Sequence, residues 1–164
     1  MNIRTLALLG ALALSFAAVG SAGCKDPPSR WDTAATSTVA RAPDAPPVKE
    51  AGSFNKFFPE GGVDGMKRIY TQEKTGFAEA KLQKDGKDVA VLAISDASGD
   101  TEALKKFEGA TDKIQGYPLV TVGKNQSALL VKGRYQVKVS SQQLDEGARK
   151  AWFEKFNLSG LSSL

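Results

Sequence analysis

A chain of 164 residues with 22 lysines and arginines against 18 aspartates and glutamates carries a formal net charge of +4 at pH 7, with one cysteine and no histidine. Such a small, scattered excess of positive charge is not the footprint of a nucleic-acid-binding protein, so we expect no nucleic-acid partner. The missing histidine removes the commonest general base and zinc ligand, and a single thiol removes internal disulfides and iron–sulfur ligation. We expect no metal and no cofactor.

The N-terminus has the pattern of an export signal. One positive charge, Arg4, precedes an apolar stretch over residues 6–19, and small residues follow it. A membrane-spanning helix is the alternative, but it needs about 20 apolar residues, and this stretch is shorter. We therefore predict that residues 1–23 are a signal peptide.

The only cysteine lies at the end of this signal. The sequence Ser21-Ala22-Gly23-Cys24 resembles the lipobox of bacterial lipoproteins, with serine where leucine is commoner. The resemblance implies cleavage between Gly23 and Cys24 and lipidation of Cys24. The alternative is ordinary signal cleavage that leaves a free thiol, which in an exported protein invites intermolecular disulfides.

Lipidation would decide where the protein resides. Two or more acyl chains hold a protein firmly on a bilayer, since each buried methylene contributes about 0.8 kcal/mol. The resemblance implies a lipid anchor in the cell envelope through Cys24. Lys25, rather than aspartate, follows the cysteine, and this favours the periplasmic face of the outer membrane in a Gram-negative organism.

Residues 24–52 differ in composition from both flanks. Five of the chain's seven prolines lie here, among alanine, threonine, serine and aspartate, and the charges balance. Such a segment buries too little apolar surface to offset the entropy lost on ordering. We predict a disordered Pro/Ala-rich tether that begins with the lipidated cysteine and leads to a single domain over residues 53–164.

The domain contains six segments with strand patterns. Residues 76–82 alternate apolar with charged side chains, and residues 89–94 are apolar throughout, as expected of a central strand. Asp85-Gly86 between them predicts a tight hairpin. The six segments are residues 66–73, 76–82, 88–95, 119–122, 128–131 and 135–139.

Two helices interrupt these strands. Asp100 is placed to cap a helix whose apolar face includes Leu104 and Phe107. A second helix follows the last strand, with Trp152 and Phe156 four residues apart on its apolar stripe. The fold class is therefore α+β: a mostly antiparallel sheet of about six strands in βββαβββα order, with two packing helices.

The turn after the third strand collects the best candidate binding residues. Asp96, Ser98 and Asp100 offer oxygens of the kind that calcium prefers. An EF-hand loop beginning at Asp96 would need glycine and glutamate where the chain has Thr101 and Phe107, so that motif is absent. The alternative is a turn followed by a helix cap.

Aromatic residues give the second set of candidates. Phe57 and Phe58, close after Phe54, form either a sticky surface patch or a short leading helix packed on the core. Tyr117, which precedes a proline, is either a surface contact or a loop anchor. Neither residue type identifies a ligand.

Other pairs with catalytic side chains have simpler interpretations. Glu73 and Glu79 are expected to be surface charges, because acid–base work needs a measured separation and a cleft. Ser127 near Lys124 or Lys132 is a weak candidate for a serine–lysine pair. Residues 123–125 form a hairpin turn rather than a phosphate loop, since the second glycine and the Lys-Ser/Thr pair are missing.

Residues 76–96 and 128–141, together with the ending 156–161, resemble uncharacterised bacterial exported proteins and lipoproteins. The resemblance implies no catalytic residues. We expect a membrane-anchored envelope lipoprotein that acts as a non-catalytic binding or structural module, with an envelope protein or polymer as partner. Alternatives are an envelope hydrolase using carboxylate or serine chemistry, with Asp96 and Asp100 as its acids, and a small-ligand carrier.

Overall fold

The structure, a computed structural model, describes residues 46–164. The predicted signal peptide, Cys24 and the tether up to residue 45 lie outside the described residues. Within residues 46–164, every helix is too short or too polar to cross a bilayer.

Seven strands form one sheet, in which all neighbours are antiparallel. The order across the sheet is β1-β2-β3-β7-β6-β5-β4, so two meanders meet where β3 pairs with β7. The strands are β1 Lys67–Lys74, β2 Phe77–Lys84, β3 Lys87–Asp96, β4 Asp112–Ile114, β5 Tyr117–Val122, β6 Gln126–Val131 and β7 Tyr135–Ser140.

Three short α-helices and two 3-10 helices accompany the sheet. The α-helices are α1 Thr101–Lys105, α2 Glu146–Phe153 and α3 Leu158–Ser162, and the 3-10 helices are η1 Asn55–Phe57 and η2 Val63–Gly65. The α+β class and the antiparallel sheet are thus confirmed. The local turn signals are confirmed as well: Asp85 and Gly86 both have positive φ, and the carboxylate of Asp100 accepts from the Ala103 amide at 2.9 Å.

The predicted strand count and element order were wrong. The described chain runs βββαββββαα, because β4 adds a seventh strand and the last helix is divided in two. β4 has three residues, too few to show the alternation of apolar and polar side chains along a strand. It forms because the turn at Gln115 sets it against β5. The division of the last helix follows from Asn157, whose side chain accepts from the Gly160 amide at 2.9 Å and so starts α3 as a separate helix.

One face of the sheet carries the core. Helices α2 and α3 and the 3-10 helix η1 cover it, and Trp152, Phe153 and Leu161 are each at most 3% exposed. The strand residues that face them include Ala80, Leu92, Ile94, Leu129, Val131, Val137 and Val139.

The other face of the sheet is only partly covered. Leu104 and Phe107, on and just after α1, pack on β5 and β6 against Val120, Ala128 and Leu130. Across β2, β3 and β7, a row of paired residues alternates long charged side chains with a small one: Glu79, Ala93 and Lys138. We call this surface the second face of the sheet.

Candidate functional site

Asp96, the first of the predicted site residues, is engaged in a buried ion pair. Arg134 holds it in a fork, with Nη2 at 2.6 Å from Oδ2 and Nε at 3.1 Å from Oδ1. The Asp96 side chain is completely buried and that of Arg134 is 19% exposed. The backbone amide of Ser98 also donates to Oδ1 at 3.0 Å, so both carboxylate oxygens are occupied.

The pKa of Asp96 reflects this environment. Burial raises the pKa of the carboxyl, but the hydrogen bonds from Arg134 and Ser98 lower it by more, and the net pKa lies below its ordinary value. A general acid needs the opposite shift. Asp96 is therefore ionised at neutral pH and serves as the counter-ion of Arg134.

The same ion pair fastens the segment that leads into the domain. Arg134 Nη2 also donates to the Pro47 carbonyl at 2.7 Å, and the Gly76 amide donates to the Lys49 carbonyl at 2.6 Å. The Val48 side chain fills the space where Gly76 has no Cβ. We call residues 46–50 the strap; part of the predicted tether thus packs against the β1–β2 turn and the end of β3.

The remaining predicted residues have structural surroundings. Asp100 caps α1, as described above, and Ser98 Oγ is buried without a hydrogen-bond partner among residues 46–164. Phe57 and Phe58 are 3% and 4% exposed, so the short helix packed on the core is present and the surface patch is not. Tyr117 is half-buried against the core, as a loop anchor would be.

An open cleft lies at the opposite end of β3 from Asp96. It has a volume of about 400 Å³ and sits where β3 and β6 begin and β7 ends. Its lining consists mainly of amide, hydroxyl and small apolar side chains: Asp88, Val89, Ala90, Val91, Asn125, Gln126, Ser140, Ser141, Gln142 and Gln143. We call it the amide cleft.

A β-bulge shapes one wall of the amide cleft. Leu82 pairs with Ala90 while Gln83 pairs with Asp88, which leaves Val89 as an extra residue in β3. The carbonyl of Val89 accepts from Ser141 Oγ at 2.6 Å. Bulges of this kind re-aim side chains and are frequent beside functional sites.

The opposite wall is a loop, residues 141–145, that is held from within. Ser141 Oγ accepts from the amides of Gln143 and Leu144 at 3.0 and 2.9 Å. Beneath the loop, Arg149 is 2% exposed and donates to the Leu144 carbonyl at 2.7 Å and to Ser127 Oγ at 3.1 Å. The loop is therefore braced before any ligand arrives.

Two side-chain amides of the cleft remain free for a ligand. Asn125 and Gln142 are exposed, and neither side chain hydrogen-bonds to another of the described residues. By contrast, Gln143 Nε2 donates to the Asp88 carbonyl at 2.7 Å, and Gln126 Oε1 accepts from Ser140 Oγ at 3.3 Å.

Among the described residues that line the amide cleft, Asp88 alone has an ionisable side chain, and it is already paired. Lys81 Nζ lies 2.6 Å from Asp88 Oδ2, and Gln83 donates to Oδ1 at the same distance. The hydrogen bond from Lys81 is the largest influence holding the pKa of Asp88 below its ordinary value. The cleft thus presents a neutral surface at pH 7.

Comparison of the chain with protein families, curated proteins and solved structures finds no match. The site must therefore be interpreted from its own chemistry. Among residues 46–164, no three acidic, histidine or cysteine side chains come close enough to hold a metal ion.

A second hollow, of about 460 Å³, lies between η2 and the C-terminal end of α2. Its walls include Phe58, Phe156 and Lys155, and Lys155 forms an ion pair with Asp64 at 3.0 Å. Phe58 and Phe156 on its floor belong to the core. We regard it as a groove between packed elements.

The residues of the amide cleft were missed at the level of sequence. The available signal was two amide- and hydroxyl-rich stretches, residues 124–127 and 140–143, at the outer ends of a predicted hairpin. Because the turn at residues 132–134 joins β6 to β7, the start of one strand lies beside the end of the other. The bulge at Val89 has no such local signal.

Proposed function

We propose that the protein is a membrane-anchored envelope lipoprotein that acts as a non-catalytic binding module, with the amide cleft as its ligand site. The single observation that carries the proposal is the braced, neutral cleft in which the side-chain amides of Asn125 and Gln142 have no partner among residues 46–164. Preformed concave sites with a few directed polar groups are the usual form of ligand sites.

The surroundings of the carboxylates support binding rather than hydrolysis. Asp96 is held as an anion by Arg134, and Asp100 caps α1. Asp96 has neither the raised pKa nor the free oxygen that a catalytic acid uses.

The direction of the chain supports an anchored module. The strap lies at the Asp96 end of β3, and the amide cleft lies at the Asp88 end, about 25 Å away at roughly 3.3 Å per residue. A tether from Cys24 would join the domain at the strap end, and the cleft lies at the other end of β3. Cys24 itself is outside the described residues, so lipidation is part of the proposal.

Site-specific photo-crosslinking in native membranes tests the function. A photoreactive residue at Gln142, in the cleft, is compared with one at Lys132, in the exposed turn at the other end of the sheet. We expect adducts from Gln142 and none from Lys132, and loss of the adduct when Cys24→Ser removes the anchor. Equal labelling at both positions, or none at Gln142, would contradict the proposal.

A further inference from the structure

We propose that the ligand of the amide cleft is an uncharged saccharide chain, with Asn125 and Gln142 as its contact residues. This inference rests on the proposed function, because it assigns a ligand class to the same cleft. Four properties of the cleft support it: its charge, its hydrogen-bonding groups, its floor and its place in the sheet.

The lining of the amide cleft has no free charged side chain that would bind an ionic ligand. The carboxylate of Asp88 is bound by Lys81 and Gln83, and the other lining residues are uncharged. A phosphate or carboxylate ligand would need arginine or lysine in the lining, and a cationic ligand would need a free acid. The cleft offers neither.

The free groups match hydroxyl and acetamido groups. Each side-chain amide supplies two N–H donors and a carbonyl acceptor on a short, nearly rigid fork. A sugar hydroxyl is both donor and acceptor, so one amide satisfies neighbouring hydroxyls without leaving a charge unpaired. The side-chain amides of Asn125 and Gln142 are available for this exchange, since neither is hydrogen-bonded to another described residue.

The floor of the cleft complements this polar rim. Val89 and Val91 line it with partly exposed apolar side chains, which offer a surface to the C–H face of a pyranose ring. Most ligand sites combine an apolar floor with a small number of polar groups that fix orientation.

The place of the cleft in the sheet argues against an extended peptide. Peptides commonly add a strand to a free sheet edge. β3, β7 and β6 are interior strands with neighbours on both sides, so their backbone groups are engaged. A ligand in the amide cleft must be recognised through side chains.

Calorimetric titration of the full-length chain in detergent micelles tests the ligand class. The probe is the tetramer of N-acetylglucosamine, and the comparison ligand is tetra-alanine. We expect the saccharide to bind, and the double variant Asn125→Ala/Gln142→Ala to weaken binding at least about tenfold, since two hydrogen-bonding amides are lost. Gln72→Ala removes an exposed amide on β1 and should leave the affinity unchanged.

The outcomes separate this inference from the proposed function. Absence of saccharide binding at millimolar concentration, or equal binding by the double variant, overturns the saccharide assignment, as does preferential binding of tetra-alanine. If photo-crosslinking from Gln142 still captures a partner in membranes, the binding module stands with another ligand. If that fails as well, both proposals fall. Thermal unfolding of each variant confirms that it folds.

Discussion

At the scale of single residues, the buried ion pair between Asp96 and Arg134 is the most consequential interaction outside the cleft. Asp96→Asn would leave Arg134 without its anion and weaken its hold on the Pro47 carbonyl. Breaking one partner of a buried pair typically costs about 3–5 kcal/mol, and because Arg134 is partly exposed we expect about 3. Urea unfolding measures this. Asp112→Asn, at a surface pair with Lys150, is the control and should give no resolvable change.

The same carboxylate predicts how stability depends on pH. The pKa of Asp96 is lower in the folded state than in the unfolded chain, whose value is about 3.9. Its contribution to the free energy of unfolding is therefore complete above that value and is lost as the pH falls through the folded pKa. Between pH 5 and pH 2 the urea midpoint should fall more steeply for the wild type than for Asp96→Asn. Parallel curves for the two proteins would contradict this.

At Tyr135 we expect a substitution to stabilise the fold rather than to destabilise it. Its ring is 1% exposed and packs edge-on against Phe54 at 5.8 Å, but its hydroxyl has no hydrogen-bond partner among residues 46–164. A buried polar group without a partner costs about 1–3 kcal/mol. Tyr135→Phe keeps the ring and removes this cost, so we expect a gain of about 1 kcal/mol in thermal or urea unfolding. A loss of similar size would show that the hydroxyl has a partner.

At the scale of elements, the strap depends on one glycine. Gly76 has φ +72°, and a Cβ there would collide with the Val48 side chain, whereas Gly86 has φ +75° with open space around it. Backbone strain alone costs about 1 kcal/mol for a single residue in this conformation. Gly86→Ala should lower the free energy of unfolding by about this amount. Gly76→Ala should lower it further, because of the collision, and should also speed proteolysis at residues 46–50.

A double variant separates two effects of Gly76→Ala, the collision of the new Cβ with Val48 and the strain of the backbone. Val48→Ala removes the methyl groups that the new Cβ would meet, so Gly76→Ala should destabilise less in a Val48→Ala background than in the wild type. The coupling free energy from the double-mutant cycle measures the contact itself. Additive effects would mean that Val48 does not contact Gly76.

The loop that walls the cleft depends on one hydroxyl. Ser141 Oγ donates to the Val89 carbonyl and accepts from the amides of Gln143 and Leu144. Ser141→Ala leaves all three groups without this partner and should cost about 2 kcal/mol. Hydrogen exchange should accelerate at residues 141–145 and at the start of β3, while the β1–β2 turn keeps its rate. Unchanged exchange in the loop would contradict the bracing role.

The elements that could be predicted are those specified by neighbouring residues. Alternation over residues 76–82 predicted β2, Asp85-Gly86 its hairpin, and Asp100 the start of α1. β4 was not predicted because three residues are too few to show an alternation of apolar and polar side chains. The link between Asp96 and Arg134 joins positions far apart in the chain, and the bulge at Val89 arises from the register with β2. The amide cleft depends on this register and on the pairing of β6 with β7. The two amide- and hydroxyl-rich stretches that line it therefore gave no sign that they lie side by side.

At the scale of the whole molecule, the two ends of the sheet carry different features. The strap end holds the segment that leads toward Cys24, and the far end holds the amide cleft. β3 joins them through the centre of the sheet, paired with β2 on one side and β7 on the other. In the proposal, the sheet separates the strap, through which the chain enters the domain, from the ligand site.

Hydrogen–deuterium exchange of the full-length protein, compared between native envelope membranes and detergent micelles, is the decisive test of a ligand site at the far end of the sheet. We expect slower exchange in the membranes at residues 125–126 and 140–143, which line the cleft, with unchanged rates at the turn of residues 132–134. Equal rates at the cleft in both preparations, or protection confined to the strap end, would contradict a ligand site at the far end of the sheet.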